Sequence, residues 1–273
     1  MTSTKTCACK GKRTCLVCEP LIQTENTCLH EEKVTYVYCP DCGRAWRDTK
    51  TNDKHPNHSG NSIIFPGVTL IENFVSPEEE EWLVSEIDNT AWIDSQSGRR
   101  KQDYGPKVNF KKRKVKASVF SGLPAFSKML VKRMNDSNYL DDFEPVELCN
   151  LEYTPERGST IDPHLDDSWI WGERLVTLTL LSDTKHTMTS DCQPDVEVII
   201  PLHRRSLVIV QGAARHEWMH AIKRVDITQR RLAMTFRELT PEFRQGGQNE
   251  VLGRELLQIA ASFGGLSVGT KCT

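Results

Sequence analysis

The 273-residue sequence lacks any apolar run near the roughly eighteen residues that span a bilayer, so no membrane partner is expected. Its first residues, Met1 to Cys7, lack an apolar signal core, so secretion is not expected either. A surplus of either charge is missing. The formal net charge is −2, too small to drive the whole molecule onto nucleic acid or membrane, so any such surface must be a local patch. Internal repeats, low-complexity tracts and an alternating strand–helix rhythm are also absent. Together these absences point to the cytoplasm or nucleus, where thiols stay reduced.

What is present is an ordinary globular composition, 38% hydrophobic and 26% charged, long enough for one main domain and a smaller appendage. There are ten cysteines, and seven of them (Cys7, Cys9, Cys15, Cys18, Cys28, Cys39, Cys42) fall in the first 42 residues. In a reducing compartment such a cluster reads as metal binding rather than disulfide bridging. Cys15-x2-Cys18 and Cys39-x2-Cys42 are separated by twenty residues, a zinc-ribbon spacing just beyond the usual range. Cys7, Cys9, Cys15 and Cys18 form a competing four-thiolate set for zinc, and the seven cysteines with His30 could fill two tetrahedral sites. Cys149, Cys192 and Cys272 are scattered and read as ordinary thiols.

Ser76-Pro77-Glu78-Glu79 carries a capping residue, a proline suited to the first helical position and the glutamate of a capping box. With Trp82, Leu83 and Ile87 at helical spacing, it predicts a helix from about 77 to 89. A second helix is expected over 124–134, with Phe126, Met129, Leu130 and Met134 on one face. From Glu147 onward the pattern changes to short strands, expected at 148–153, 175–181, 196–202, 206–210 and 232–236, and an amphipathic helix follows over 248–263. Thr177 and Thr179 alternate with apolar neighbours as in a half-buried strand. Helices first and strands later argue for an α+β, mainly β fold, an antiparallel core flanked by helices. The run Lys111, Lys112, Arg113, Lys114 and Lys116 reads either as a phosphate-binding or acid-binding patch or as a hairpin edge guarded by lysines.

One stretch carries chemistry. In Pro163-His164-Leu165-Asp166 the histidine and aspartate are two apart, so on an extended strand they share a face. His220 lies 56 residues later, enough chain to return on a neighbouring strand. Two imidazoles and one carboxylate are the donors that hold non-haem Fe(II) and leave positions open for oxygen and a cosubstrate. A zinc hydrolase could use the same donors, but the helical His-Glu-x-x-His signature is absent. His216, four residues before His220, is the competing third ligand. Arg231 and Arg237 are six apart, hence on one face of a strand. Guanidinium forks of this kind bind carboxylates, and beside an iron site they suit 2-oxoglutarate, whose far carboxylate needs a cationic anchor.

His164-x-Asp166, His220-Ala221-Ile222 and Arg231-x5-Arg237 resemble the AlkB family of Fe(II)/2-oxoglutarate dioxygenases over about residues 63–238. The resemblance implies a double-stranded β-helix (jelly-roll) core. The chain then divides into a Cys-rich zinc-binding module (1–45), a linker (46–62), helices with a substrate-recognition lid (63–145), the catalytic core (146–240) and a C-terminal helix and tail (241–273). It implies that His164, Asp166 and His220 hold the iron, preferring His220 over His216. It also implies that Arg231 and Arg237 bind 2-oxoglutarate and that Tyr153 donates a hydroxyl to it. The family asparagine two residues before that tyrosine is Leu151 here, so Asn150, one place off register, is the candidate in its stead. Another family asparagine, two after the first arginine, is Ala233 here. Arg99, Arg100, Gln102 and Tyr104 fall where the family has its lid, with Tyr104 and Phe110 as candidates for stacking on a base.

The reaction implied uses Fe(II), 2-oxoglutarate and O2 to hydroxylate an N-methyl group, which then leaves as formaldehyde. The substrate implied is methyl-lysine in a protein such as actin or actomyosin, with N6-methyladenine in DNA as the alternative. A third reading is a non-catalytic scaffold built on the same fold.

Overall fold

The structure, a computed structural model, describes residues 7–10, 13–21, 33–47, 55–117 and 119–268. Cys28, His30 and Cys272 lie outside the described residues. In chain order the elements begin with β1 (Val34–Cys39), β2 (Arg44–Arg47), β3 (Ser62–Ile64), β4 (Val68–Ile71), α1 (Pro77–Asp88), β5 (Ile93–Asp94) and β6 (Arg100–Tyr104). They continue with β7 (Lys107–Asn109), β8 (Lys114–Lys116), α2 (Lys128–Asn135), β9 (Pro145–Tyr153), β10 (Ile161–His164) and β11 (Trp171–Leu180). The last are β12 (Thr184–Ser190), β13 (Gln193–Leu202), β14 (Leu207–Val210), α3 (Gly212–His216), β15 (Met219–Ile222), β16 (Arg231–Leu239) and α4 (Glu250–Ala260).

Two seven-stranded sheets carry the fold. One runs β10-β15-β12-β13-β1-β2-β3 and the other β4-β14-β11-β16-β9-β6-β5. The pairings are antiparallel except that of β1 with β13, which is parallel. The mainly β architecture expected from the sequence is therefore present, with the helices packed on the second sheet. Leu83 and Ile87 of α1, Leu130 and Met134 of α2 and Leu256 of α4 join Val176, Leu178, Leu232, Met234 and Phe236 in the larger core cluster. The second cluster lies between the sheets, where Met188, Val198 and Ile200 meet Leu175, Val208 and Val210. The second sheet is thus covered on both faces, which is why all four residues of β14 are buried. Thr177 and Thr179 do not face open solvent as a half-buried strand would have them. Thr179 is buried, and Thr177 lines a pocket between the sheets.

The end of the Cys-rich segment, strand β1 with the start of β2, is built into the first sheet. Val34, Thr35, Tyr36 and Val37 are β-branched or aromatic, and they align with Val196 to Ile199 of β13. The Tyr38 hydroxyl donates to the Val68 carbonyl at 2.7 Å. The expected linker instead joins β2 to β3 within the same sheet. The lysine-rich run forms an isolated two-stranded ribbon of β7 and β8, with the lysines exposed.

Helix α1 begins as its sequence predicts. The Ser76 side chain accepts the Glu79 backbone N–H at 3.2 Å, and the Glu79 carboxylate accepts the Ser76 N–H at 2.8 Å. Glu79 also holds Arg133 of α2 through two contacts of 2.5 and 2.8 Å, tying the helices together. Those Arg133 bonds hold its carboxyl down to about 2. Glu79→Ala should lower the unfolding free energy by about 1 kcal/mol at neutral pH, because a partly exposed pair is screened. A depressed carboxyl stabilises above its unfolded value of 4.5 and loses that contribution as pH falls toward 2. Urea titrations should therefore show the gap between wild type and variant closing across that window.

Candidate active site

Strand β10 ends at His164, and Asp166 follows two residues on. His164 lies directly opposite His220 of β15, so the two imidazoles are a cross-strand pair with ring centroids 4.3 Å apart. The Nδ1 of His164 lies 2.8 Å from the Asp162 carbonyl, which can only accept, so Nδ1 carries a hydrogen and Nε2 turns to the pocket. Asp166 Oδ1 stands 3.4 Å from His164 Nε2 and 3.9 Å from His220 Nε2. One ligand atom from each of the three residues falls within 4.8 Å of the others. Burial, with His164 alongside, lowers the pKa of His220 to about 3, so its imidazole is neutral. Burial works to raise Asp166, but the Arg237 guanidinium and the facing imidazoles hold it well below the usual carboxylate range. Neutral nitrogen and ionised oxygen donors converging in this way form a site that a divalent cation fits.

Both arginines lie on β16 and line the same pocket, with Ala233 and Thr235 between them. They differ in what they hold. Arg237 Nε donates to Asp166 Oδ2 at 2.6 Å, and Nη1 donates to Glu147 Oε2 at 2.6 Å. This occupies one oxygen of Asp166 and leaves the other turned toward the imidazoles. Arg231 is 2% exposed and has no carboxylate partner among the described residues. Its Nη2 donates to Thr179 Oγ1 at 3.1 Å and its guanidinium lies 5.2 Å over the Tyr153 ring, while its Nε is buried with no hydrogen-bond partner. Burial pulls its pKa below the usual arginine range. An orphaned buried cation of this kind is satisfied by an anion.

The structure brings His164, Asp166, His220, Arg231, Arg237 and Tyr153 to one pocket. Asn150 does not reach it. In β9 the odd residues Leu151 and Tyr153 line the pocket, whereas the Asn150 amide points the other way and donates to Gln102 Oε1 at 3.0 Å. The lid residues need the same correction, because 100–104 form β6, paired between β9 and β5. Gln102 is buried and donates to the Ile87 and Thr90 carbonyls, and Tyr104 is buried with its ring edge-on to Phe126. Arg100 is taken up by Glu152. Arg99 lines an open groove beside Lys101 and Asp103, the β6 residues of the opposite parity. Asp166 and Arg237 line both this groove and the pocket, so the groove leads to the site. His216 lies away from it, 3.0 Å from Glu173.

Sequence reasoning missed His186 and Glu147. His186 of β12 is buried in the pocket wall, 5.2 Å from the His220 ring, with its Nδ1 unpartnered, and its pKa is pushed well down by burial. No spacing marks it, since β12 becomes a neighbour of β15 only through the sheet register. At the N-terminus, Cys7, Cys9, Cys15 and Cys18 gather into one cluster against the 94–98 loop. The alternative ribbon, which joined Cys15 and Cys18 to Cys39 and Cys42, does not form, because these pairs fall in different clusters.

No family model matches the chain. Curated relatives do. The alpha-ketoglutarate-dependent dioxygenase alkB homolog 4 of Mus musculus is 48% identical, covering 96% of this chain and 96% of the relative. The Homo sapiens protein of the same name is also 48% identical, over 96% and 95%. A DNA N6-methyl adenine demethylase of Caenorhabditis elegans is 37% identical, over 93% and 94%. The chain belongs to the AlkB family, and it is an Fe(II)/2-oxoglutarate-dependent dioxygenase.

Arg237 forms an ion pair with both Asp166 and Glu147. Arg237→Ala should destabilise the metal-free protein by roughly 3–5 kcal/mol, because it leaves two buried carboxylates unpaired. Arg237→Lys should recover only part of this, since an ammonium cannot present the same fork. Denaturant midpoints of the three proteins measure both effects.

Proposed function

We propose that the chain is an N-demethylase acting on methyl-lysine in a protein, with actin or actomyosin as the candidate target. The observation that carries the catalytic reading is Arg231, a buried guanidinium without a counter-charge in the pocket that holds His164, Asp166 and His220. These three residues would hold Fe(II). When bound, the iron supplies the redox chemistry that couples O2 and 2-oxoglutarate decarboxylation to oxidation of a C–H bond. Arg231 anchors the far carboxylate of 2-oxoglutarate, and the Tyr153 ring beneath it fixes the direction of the guanidinium fork. Arg237 holds Asp166 in one orientation and ionised, so the carboxylate needs no reorganisation to bind metal. The apolar walls, Leu151, Leu175, Val210 and Ile222, exclude water. The reaction converts the N-methyl group, O2 and 2-oxoglutarate into a hydroxymethylamine, succinate and CO2. The hydroxymethylamine loses its hydroxyl proton as the C–N bond breaks, giving formaldehyde and the free amine.

The groove supports a protein substrate. Lys101, Asp103 and Glu147 present both charges along it, with exposed Phe110 and Leu165 at its sides. A purine would need an aromatic face to stack on; of the two that the sequence offered, Tyr104 is buried and Phe110 is exposed at the groove. The second reading, N6-methyladenine in DNA, is favoured by the name of the nematode relative and by the lysine-bearing β7–β8 ribbon, whose Lys107 and Val108 line the groove. The thiols Cys7, Cys9, Cys15 and Cys18 would hold a structural zinc ion. Such clustered thiols fit the cytoplasm and nucleus.

Purified protein given Fe(II) and 2-oxoglutarate should release succinate, and His164→Ala should release none. Arg231→Ala should raise KM for 2-oxoglutarate on the order of 100-fold, the loss of about 3 kcal/mol of charge-assisted bonding. Methyl-lysine peptides and methylated DNA, offered side by side and followed by mass and formaldehyde, decide the substrate. Turnover of DNA alone would sink the lysine reading.

A further inference from the structure

Cys39, Cys42, His55 and His58 form a cluster that the dioxygenase site does not use. Each offers one ligand atom, and all four atoms lie within 4.8 Å of one another. The sequence hid this set, because the two histidines sit in what reads as a polar linker.

The local fold explains how the four meet. β1 ends at Cys39, Pro40 and Asp41 make the turn, and Gly43 at φ +65° returns the chain into β2. The Gly43 N–H donates to the Cys39 carbonyl at 3.0 Å, closing a tight knuckle. The backbone N–H groups of Asp41 and Cys42 are directed at the Cys39 sulfur, and that of Arg44 at the Cys42 sulfur. Trp46 Nε1 adds a donor to Cys42 Sγ at 3.4 Å. Sulfurs ringed by N–H donors are prepared to carry thiolate charge. The Trp46 ring also stacks on His58, with centroids 4.8 Å apart and planes 17° apart, and His55 packs edge-on to His58 at 5.9 Å. The Nε2 of His58 is shut off from solvent and has no hydrogen-bond partner. A buried nitrogen left this way is costly unless something occupies it.

We propose that Cys39, Cys42, His55 and His58 hold a structural zinc ion, distinct from the iron pocket and from the Cys7–Cys18 cluster. Two sulfurs and two imidazole nitrogens make a closed tetrahedral set of the softness zinc prefers, with no position left for substrate. The ion fastens the β1–β2 hairpin to the stretch that precedes β3. β1 is the strand that joins this end of the sheet to β13, so the ion holds the outer half of the first sheet in register. The assignment is independent of the demethylase reading.

The test uses the full chain, reduced, stripped of metal and reloaded with zinc or cobalt alone. The iron pocket contains no thiolate, so sulfur-to-cobalt charge-transfer bands report only the cysteine clusters. In the wild type these bands should grow until two cobalt ions per chain are bound, one per cluster. His55→Asn/His58→Asn should bind one zinc fewer per chain and should melt at lower temperature. Bands from the full chain that are unchanged in number and intensity after Cys39→Ser/Cys42→Ser would overturn the proposal. A folded double variant that keeps the full wild-type zinc content would overturn it as well.

Discussion

The charge arrangement around Arg237 governs the pocket. Its guanidinium lies between Asp166 and Glu147, and all three side chains are largely removed from water. Burial pushes the Glu147 carboxyl up, while the Arg237 guanidinium and the imidazoles keep Asp166 well below the usual carboxylate range. Elsewhere in the same pocket Arg231 has a positive charge and no carboxylate partner among the described residues. The protein alone leaves the Arg231 charge without a carboxylate at a depth where an uncompensated charge is costly, and an anion bound beside it would complete the pocket.

Much of this was legible in the sequence, and the limits follow from what sequence patterns encode. The capping box at Ser76 and Glu79 is local, and it forms as read. Arg231 and Arg237 share a face because an even number of strand residues separates them, whereas Asp166 reaches the pocket from just beyond the end of β10. Parity is where the reading failed. A strand two-sided in burial gives no sign of which face is which. Gln102 and Tyr104 therefore look as suited to a lid as Lys101 and Asp103, yet the former pair enters the core. Asn150 fails by the same one-residue slip. His186 was illegible for a different reason. It reaches the pocket only through the pairing of β12 with β15, a long-range register that no spacing announces.

The N-terminal segment shows how composition can mislead about boundaries. Cysteines crowd the first 42 residues, and a polar stretch follows, so the chain looks like a small module on a tether. In the fold, β1 adds to the edge of β13 and covers what would otherwise be an open strand. The Cys7–Cys18 cluster docks elsewhere, where Glu19 grips Arg224 and the Ser97 N–H donates to Cys9 Sγ at 3.3 Å. The two cysteine clusters are thus attached to the catalytic body at separate points, although they are neighbours in the chain.

The sheet order adds one more property. His220 sits on β15, held between β10 and β12, whereas His164 sits on β10, the outermost strand of its sheet. A strand paired on one side opens more readily than one paired on both. The two imidazoles are therefore unequally supported: His220 is held by a strand on each side and His164 by a strand on one.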